Sequence, residues 1–235
     1  LGIDLGGTNI KIGCFDSNID LIGKTSTPTR ADMGADSVVE TMAETARELL
    51  ADAGFPLDNV RAVGIGSPGP LDLTNGIVVS IPTMPLFKNV PLRKMLSDRL
   101  GKPTVMEKDA NAAAWGEHVR GAGKGVDEMA LLTLGTGIGG AVISNGKLVH
   151  GFGDDAAELG HIIIYPEGRV CDCGQRGCAE AYASANSVAA RAVEAIEGGA
   201  ESSLKKVLQE KGEVTCPDVY EHMEKGDNLA KEITE

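Results

Sequence analysis

The amino-acid sequence predicts an α/β fold whose sheet is mostly parallel. Residues 10–15 alternate between apolar and polar side chains, as a half-buried strand does. Residues 37–53 instead place apolar side chains at helical spacing, and Gly54 is suited to end that helix. The succession of strand and helix continues through residues 61–121, and it favours parallel strands joined by right-handed crossovers.

The same periodicities predict the remaining elements in order. The first three strands form a meander, because turn-forming residues separate the second from the third. Between them and residue 121 we expect a buried strand with a Gly/Pro turn (61–70), a helix (92–100), and a strand that continues into an alanine-rich helix (103–121).

The second part of the chain begins near Gly121. Apolar strands at 129–134 and 140–144 flank a glycine loop, and Asn145 with Gly146 forms a hairpin turn. The segment beyond the cysteines is predicted to be helical at residues 184–196, 203–209, 217–223 and 228–235. We therefore expect two α/β domains, residues 1–120 and 121–235.

Composition and charge exclude several classes of protein. The hydrophobic fraction of 42% is ordinary for a globular chain, and the aromatic fraction of 3% predicts a core of aliphatic side chains. A formal net charge of −12 opposes binding to nucleic acid or to an anionic membrane. No apolar run reaches the roughly 20 residues of a membrane span, and no signal peptide is visible, so we expect a cytoplasmic location.

Three of the five cysteines lie close together near a histidine. His161, Cys171, Cys173 and Cys178 have the spacing H-x9-C-x-C-x4-C. Three thiolates and one imidazole form the ligand set of a closed, structural zinc site. An accidental grouping is the alternative, and it is disfavoured because the chain contains four histidines in all. The sequence therefore predicts one structural zinc ion.

Two glycine loops suggest that phosphate groups are bound. DLGGTN at residues 4–9 and LGTGIGG at residues 134–140 each adjoin an apolar strand. Glycine lets the backbone approach a ligand closely, and successive backbone N–H groups form a concave anion site. A tight turn explains either loop equally well, but two such loops would cradle a triphosphate from opposite sides. Asp4, at the end of its strand, can hold Mg²⁺ through water.

Asp109 lies where a strand passes into the alanine-rich helix. It can cap that helix, since aspartate is favoured at a helix N-terminus. It can instead accept the proton of a hydroxyl that attacks the γ-phosphate, because phosphoryl transfer needs an aligned hydroxyl and a base within reach. The residues alone leave both roles open.

Four segments together resemble the ROK family (repressors, open reading frames and kinases), especially its glucokinase-like sugar kinases. They are DLGGTNIK, EKDANAAAWGE, LGTGIGG, and AELGHI with CDCGQRGCAEAYAS. The resemblance implies a two-domain sugar-kinase/actin-like (ribonuclease H-like) fold with nucleotide and sugar in a cleft between the domains. It also implies ATP-dependent phosphorylation of a hexose, glucose first, at the 6-hydroxyl.

The resemblance implies roles for individual residues as well. Asp109 matches the catalytic base, and the sugar is held by Gly69, Asp109, Glu158, His161 and Glu180. One ring nitrogen of His161 would bind zinc while the other faces the sugar. ATP and Mg²⁺ are expected at Asp4, Gly6, Gly7, Thr8, Asn9, Lys11, Gly135, Thr136 and Gly137.

The chain departs from the family pattern at three places. Lys108 stands where the family has Asn, and Thr83 lies in a stretch that usually reads Pro-Asn-Leu, so the identity of the hexose is open. We expect Lys108 to turn to solvent or to pair with an acid such as Glu107; the alternative is an inward lysine and a sugar other than glucose. No glycine-rich segment that covers the adenosine follows Glu180, which predicts a C-terminally truncated chain.

The family also contains other functions. A sugar-sensing transcriptional repressor is one alternative, although no DNA-binding helix-turn-helix precedes the first glycine loop. A kinase for another hexose or an N-acetylhexosamine is a second, and a non-catalytic sugar-binding fragment a third. We expect a hexose as the small-molecule partner, no nucleic acid or membrane, and a homo-oligomer, either dimer or tetramer.

Overall fold

The computed structural model describes residues 1–235 and divides them into two compact units. The first unit comprises Leu1–Ala130 with Val142–Ala156, and the second comprises Leu131–Ala141 with Ala157–Glu235. Each unit is therefore built from two separate stretches of the chain. The sequence predicts two continuous domains that meet after residue 120, and that division of the protein stays a prediction.

Strands dominate the first half of the chain and helices the second. The elements up to residue 120 are β1 (Gly2–Leu5), β2 (Asn9–Phe15), β3 (Leu21–Pro28), α1 (Gly34–Asp52), β4 (Val63–Ser67), β5 (Leu71–Asp72), β6 (Ile77–Ile81), β7 (Met84–Val90), α2 (Leu92–Leu100), β8 (Thr104–Lys108) and α3 (Asp109–Arg120). Those that follow are β9 (Met129–Leu134), β10 (Ile138–Ser144), β11 (Lys147–Leu148), a 3₁₀ turn (Leu159–His161), α4 (Glu180–Ala183), α5 (Ala185–Glu197), α6 (Leu204–Lys211), α7 (Cys216–Glu224) and α8 (Asn228–Thr234). None of the helices combines the length and the apolar character that a membrane crossing requires.

The main sheet of the first unit has the strand order β3-β2-β1-β4-β8. β1 and β2 are antiparallel, as are β2 and β3, which confirms the predicted meander. β4 runs parallel to both β1 and β8. Two of the four pairings are thus antiparallel, so the prediction of a mostly parallel sheet is wrong. The opening meander supplies three of the five strands and accounts for the difference.

Helix α1 buries an apolar stripe against this sheet. Val38, Val39 and Met42 are at most 1% exposed, and the stripe continues to Leu49 and Leu50 at intervals of three and four residues. This spacing places all of them on one face of the helix. The helix contacts β2 and β3. It begins three residues earlier and ends one residue earlier than the sequence predicts.

The second sheet of the protein has the order β5-β6-β7 and is antiparallel throughout. The sequence does not predict it. Met84, Phe87 and Val90 of β7 are the buried residues, so burial recurs every third position and not every second. A register shift also interrupts the pairing of β6 with β7 between Ser80 and Ile81. The alternation that identifies a half-buried strand is therefore missing here.

A third sheet has the order β11-β10-β9, and the four predicted C-terminal helices follow it as α5 to α8. These helices share a core that includes Val188, Leu204 and Val219. Local signals fix their starts: Thr215 and Asp218 form a reciprocal capping box at α7, and Asp227 caps α8.

Candidate active site and metal centre

Three strand ends of the first unit lie at one edge of its main sheet. In the ladder, Asp4 of β1 lies opposite Gly66 of β4, and Gly66 lies opposite Glu107 of β8. The carboxyl ends of these parallel strands therefore bring together the first glycine loop, the turn at residues 66–69, and Asp109. Ligands of open α/β sheets bind at this edge.

Asp109 is the first residue of α3 and is exposed. The N-cap position belongs to Lys108, so the carboxylate lies one residue inside the helix. Its Oδ1 accepts a hydrogen bond of 2.7 Å from the backbone N–H of Ala110. A Cβ added to Gly66 would lie 3.5 Å from the Cα of Asp109, so only a small residue of β4 fits beside the start of α3. The helix dipole favours the ionised carboxylate there.

The first glycine loop is held from both sides. Gly6 N–H donates to the carbonyl of Asn9 at 3.1 Å. The buried Thr29 donates its hydroxyl to the carbonyl of Gly6 at 2.7 Å and its N–H to the carbonyl of Thr8 at 2.9 Å. These bonds occupy the loop carbonyls and leave Gly7, Thr8 and Asn9 exposed at the tip.

Two polar side chains flank this loop. Lys11 Nζ lies 3.6 Å from a carboxylate oxygen of Asp4, and both side chains are about half exposed or more. Thr83 lies against the loop, since a Cβ added to Gly7 would come within 3.3 Å of its Oγ1. The structure thus places Thr83 beside the predicted phosphate loop; its predicted place near the sugar stays a prediction.

Gly69 occupies a backbone conformation that other residues rarely adopt. Its φ is +96°, and a Cβ there would overlap the carbonyl oxygen of Ser80. The turn at residues 66–69 therefore approaches β6 more closely than any side chain permits.

Gly69→Ala is expected to lower the free energy of unfolding by about 2–5 kcal/mol, the sum of a left-handed backbone and an overpacked contact. Gly101→Ala is the matched control, because Gly101 has φ of +63° and no atom within 4 Å of an added Cβ. For Gly101→Ala, the free energy of unfolding should fall only by the backbone contribution of about 1–2 kcal/mol. Urea unfolding measures both, and equal losses would show that the contact with Ser80 carries no energy.

In the second unit, Glu180 holds the second glycine loop. Its Oε2 accepts a hydrogen bond of 2.7 Å from the backbone N–H of Ile138. A Cβ on Gly137 would meet the same carboxylate at 2.5 Å, which explains the glycine. The carbonyl of Gly135 accepts from the N–H of Ala185 at 2.9 Å. The loop is thus fixed to both α4 and α5.

The predicted zinc ligands converge. His161 Nδ1 lies 3.7 Å from Cys171 Sγ, and Cys173 Sγ lies 3.7 Å from Cys178 Sγ. All four ligand atoms lie within 4.8 Å of one another. A tetrahedral zinc ion with bonds of about 2.3 Å to sulfur and about 2.0 Å to nitrogen separates its ligand atoms by about 3.5–3.8 Å. The donor set and its spacing fit such an ion.

Burial affects two of the three thiols of this cluster. Burial raises the pKa of Cys171 to about 12 and also raises the pKa of Cys178. A hydrogen bond from the backbone at Gln175 instead lowers the pKa of Cys173. Buried thiolates are costly without a cation, so Cys171 and Cys178 would need a metal ion to be held in ionised form, whereas Cys173 is exposed.

Glu180 also approaches this cluster. Its Oε1 lies 3.7 Å from Cys171 Sγ and 4.0 Å from His161 Nδ1. One carboxylate thus connects the second glycine loop to the cysteine cluster. Since Nδ1 of His161 faces the thiols, Nε2 on the other side of the ring is the nitrogen left for a second partner. The predicted contacts of Glu180 and His161 with a sugar stay predictions.

Glu158 immediately precedes the 3₁₀ turn Leu159–His161, so it lies three residues from His161 on one short turn. Gly160 and Gly140 permit this turn to pack on β10. A Cβ on Gly160 would overlap the carbonyl of Ile138, and one on Gly140 would meet Leu159.

Lys108 does not turn to solvent, so that part of the prediction is wrong, but it does pair with an acid, which is Asp155 and not Glu107. The residue is 8% exposed, and its Nζ lies 2.9 Å from Oδ1 of Asp155. Glu107, the partner suggested by the sequence, instead binds the backbone N–H of Lys108, the amide of Asn111 and the ring of His150. The sequence analysis missed Asp155 and His150. The two adjacent acids, Asp154 and Asp155, are the feature of the sequence that could have indicated a partner for Lys108.

Comparison with known proteins gives a consistent result. The family model described as ROK family matches residues 1–235. The glucokinase of Thermotoga maritima is 43% identical over 188 residues, which are 80% of this chain and 58% of that protein. The chain thus spans little more than half the length of this relative.

Two solved structures share the fold. A ROK hexokinase from Thermus thermophilus has a TM-score of 0.80 and 34% identity, covering 99% of this chain and 71% of that chain. A ROK family glucokinase from Streptomyces griseus, solved in complex with glucose and AMPPNP, has a TM-score of 0.77 and 34% identity, covering 99% and 73%. These likenesses confirm the predicted α/β sugar-kinase fold, and the match of the family model over the whole length shows that the chain belongs to the ROK family.

Proposed function

We propose that the whole protein transfers the γ-phosphate of ATP to the 6-hydroxyl of a hexose, with glucose as the first candidate. The exposed carboxylate of Asp109 carries this proposal, because it lies at the carboxyl edge of β1, β4 and β8, the edge at which the first glycine loop also follows β1. The likeness to a glucokinase that binds glucose and AMPPNP supports the choice of sugar and nucleotide.

In the proposed reaction, the hydroxyl oxygen attacks the γ-phosphorus while the bond from that phosphorus to the bridging oxygen of ADP breaks. Asp109 takes the hydroxyl proton. Glu158, His161 and Glu180, together with the turn at Gly69, hold the other sugar hydroxyls. Each glycine loop offers backbone N–H groups to phosphate oxygens, and Asp4 would hold Mg²⁺, which when bound would neutralise charge on the phosphates.

His161, Cys171, Cys173 and Cys178 would hold a zinc ion. When bound, this ion supplies structure and not reaction chemistry, since four protein ligands leave it no open position. Nδ1 of His161 faces the thiols, so the ring would be fixed in orientation and tautomer, and its Nε2–H would donate to the sugar.

The buried Lys108 does not require an acidic substrate. Asp155 supplies a negative charge 2.9 Å from its ammonium group, so a neutral hexose is compatible with this site. A homo-oligomeric state and the absence of nucleic acid among the partners remain part of the proposal.

A coupled assay of ADP release by the full-length protein tests the function. We expect turnover with hexoses and ATP, with glucose among the good substrates. The panel includes mannose and N-acetylhexosamines, because a different preferred sugar would correct the substrate while keeping the reaction. Sugar binding without ADP release from any of these sugars would instead favour a sugar-sensing repressor.

A further inference from the structure

Residues 150–156 form a closed loop that follows β11. The N–H of Ala156 donates to the carbonyl of His150 at 3.0 Å and joins the two ends of the loop. Gly151 and Asp154 both have left-handed backbones, with φ of +72° and +60°. Glycine adopts this conformation freely and aspartate tolerates it better than most residues, so both positions suit a tight turn.

The first end of the loop is attached to β8. His150 Nε2 lies 2.8 Å from Oε2 of Glu107. The other oxygen of Glu107 accepts from the backbone N–H of Lys108 at 2.8 Å and from the amide of Asn111 at 3.0 Å. Asn111 is 1% exposed and lies on α3. Glu107 is therefore held between strand and helix by bonds that do not involve the loop.

The other end of the loop is attached to the next residue of β8. The side chain of Lys108 is 10% exposed, whereas that of Asp155 is 67% exposed. A largely desolvated ammonium group needs a carboxylate partner, and the exposed Asp155 can supply it only if the loop keeps its present shape. We therefore expect Lys108 to hold the loop, since its own strand, β8, is paired with β4.

These two attachments involve consecutive residues, Glu107 and Lys108, directly before Asp109. Asp155 is three residues before Glu158 in the chain. The loop is therefore attached to the backbone that presents the proposed base, and along the chain it is followed by a proposed sugar ligand.

We propose that the contacts Glu107–His150 and Lys108–Asp155 form a two-point clamp on residues 150–156, and that Lys108 is a positioning residue for sugar binding. This inference rests on the proposed function. Lys108 acts through Asp155 and does not exchange a proton with the substrate. Its loss changes the affinity for the sugar and leaves the phosphoryl-transfer step itself intact.

The test compares Lys108→Met, Asp155→Asn and the double variant in the full-length protein. We expect each single variant to raise the KM for the preferred hexose about tenfold, the equivalent of one lost charge-assisted hydrogen bond, with kcat nearly unchanged. The double variant should raise KM by less than the product of the two single effects, because both substitutions remove the Lys108–Asp155 contact. Lys108→Arg should restore most of the affinity.

A second readout does not depend on activity. Hydrogen exchange at the amides of residues 151–156 should accelerate about tenfold in Lys108→Met and in Asp155→Asn. Lys94→Met is the matched control: it breaks the exposed pair of Lys94 with Asp98, at 2.6 Å, and should alter neither exchange in the loop nor KM.

The outcomes separate this inference from the proposed function. Unchanged exchange in both single variants overturns the clamp, whatever the activity. Faster exchange with an unchanged KM overturns the positioning role. A wild-type protein without kinase activity overturns the proposed function and the positioning role, while exchange still decides whether the clamp exists.

Discussion

Replacing Asp109 with asparagine is expected to lower kcat by about 10²–10⁴-fold, the usual contribution of a general base. The amide preserves the size of the side chain but cannot accept the proton of the attacking hydroxyl. Sugar binding should survive in weakened form, because one oxygen remains to accept a hydrogen bond. Steady-state kinetics measures the loss of turnover, and calorimetry measures the remaining affinity for the sugar.

The structure makes this experiment informative. The N-cap position of α3 belongs to Lys108, so the substitution does not remove a capping side chain. Asp98→Asn on α2 is a suitable control, since Asp98 is an exposed aspartate on another helix of the same unit. It should leave kcat unchanged. If Asp109→Asn kept near-normal turnover, Asp109 would be only an acid in the first turn of its helix.

Replacing Cys173 with serine is expected to remove the metal ion and destabilise the second unit. Serine offers no thiolate, and the remaining three ligands leave the tetrahedron incomplete. Metal binding at such a site is largely folding free energy, so we expect the zinc content to fall from about one ion per chain to near zero. A loss of about 3 kcal/mol corresponds to a decrease in Tm of roughly 6–12 °C for a chain of this size.

Cys216→Ser provides the matched comparison. Cys216 is a free thiol at the first position of α7 and is not among the four converging ligands. Its substitution should leave the zinc content unchanged. Elemental analysis of protein purified without chelator measures the metal, and a wild-type protein without zinc would refute the metal site.

The sequence predicts best what is encoded within a short stretch of chain. The four candidate zinc ligands lie between residues 161 and 178, and their ligand atoms lie within 4.8 Å of one another. The amphipathic pattern of α1 and the caps of α7 and α8 are also local, because a helix face or a capping bond involves residues three or four positions apart.

The tertiary structure decided the partners of the charged groups. Lys108 pairs with Asp155, 47 positions away, and Glu107 with His150, 43 positions away. A sequence pattern makes Glu107 the obvious partner of Lys108 because it is adjacent. On a strand, however, neighbouring side chains point to opposite faces, so adjacent residues of β8 meet different surroundings.

The sheet β5-β6-β7 also depends on tertiary packing and not on a local sequence pattern. Burial of Met84, Phe87 and Val90 at every third position follows from what packs on β7, and no local periodicity encodes it. Glu180 likewise acquires its bond to Ile138 only when the two segments, 42 residues apart, fold together. The sequence by itself therefore determined the family, the C-terminal helices and the candidate metal ligands, which depend on short-range spacing. The tertiary structure decided the ion pairs and contacts around Asp109 and Glu180. These depend on which segments, distant in the sequence, pack against each charged group and shield it from water.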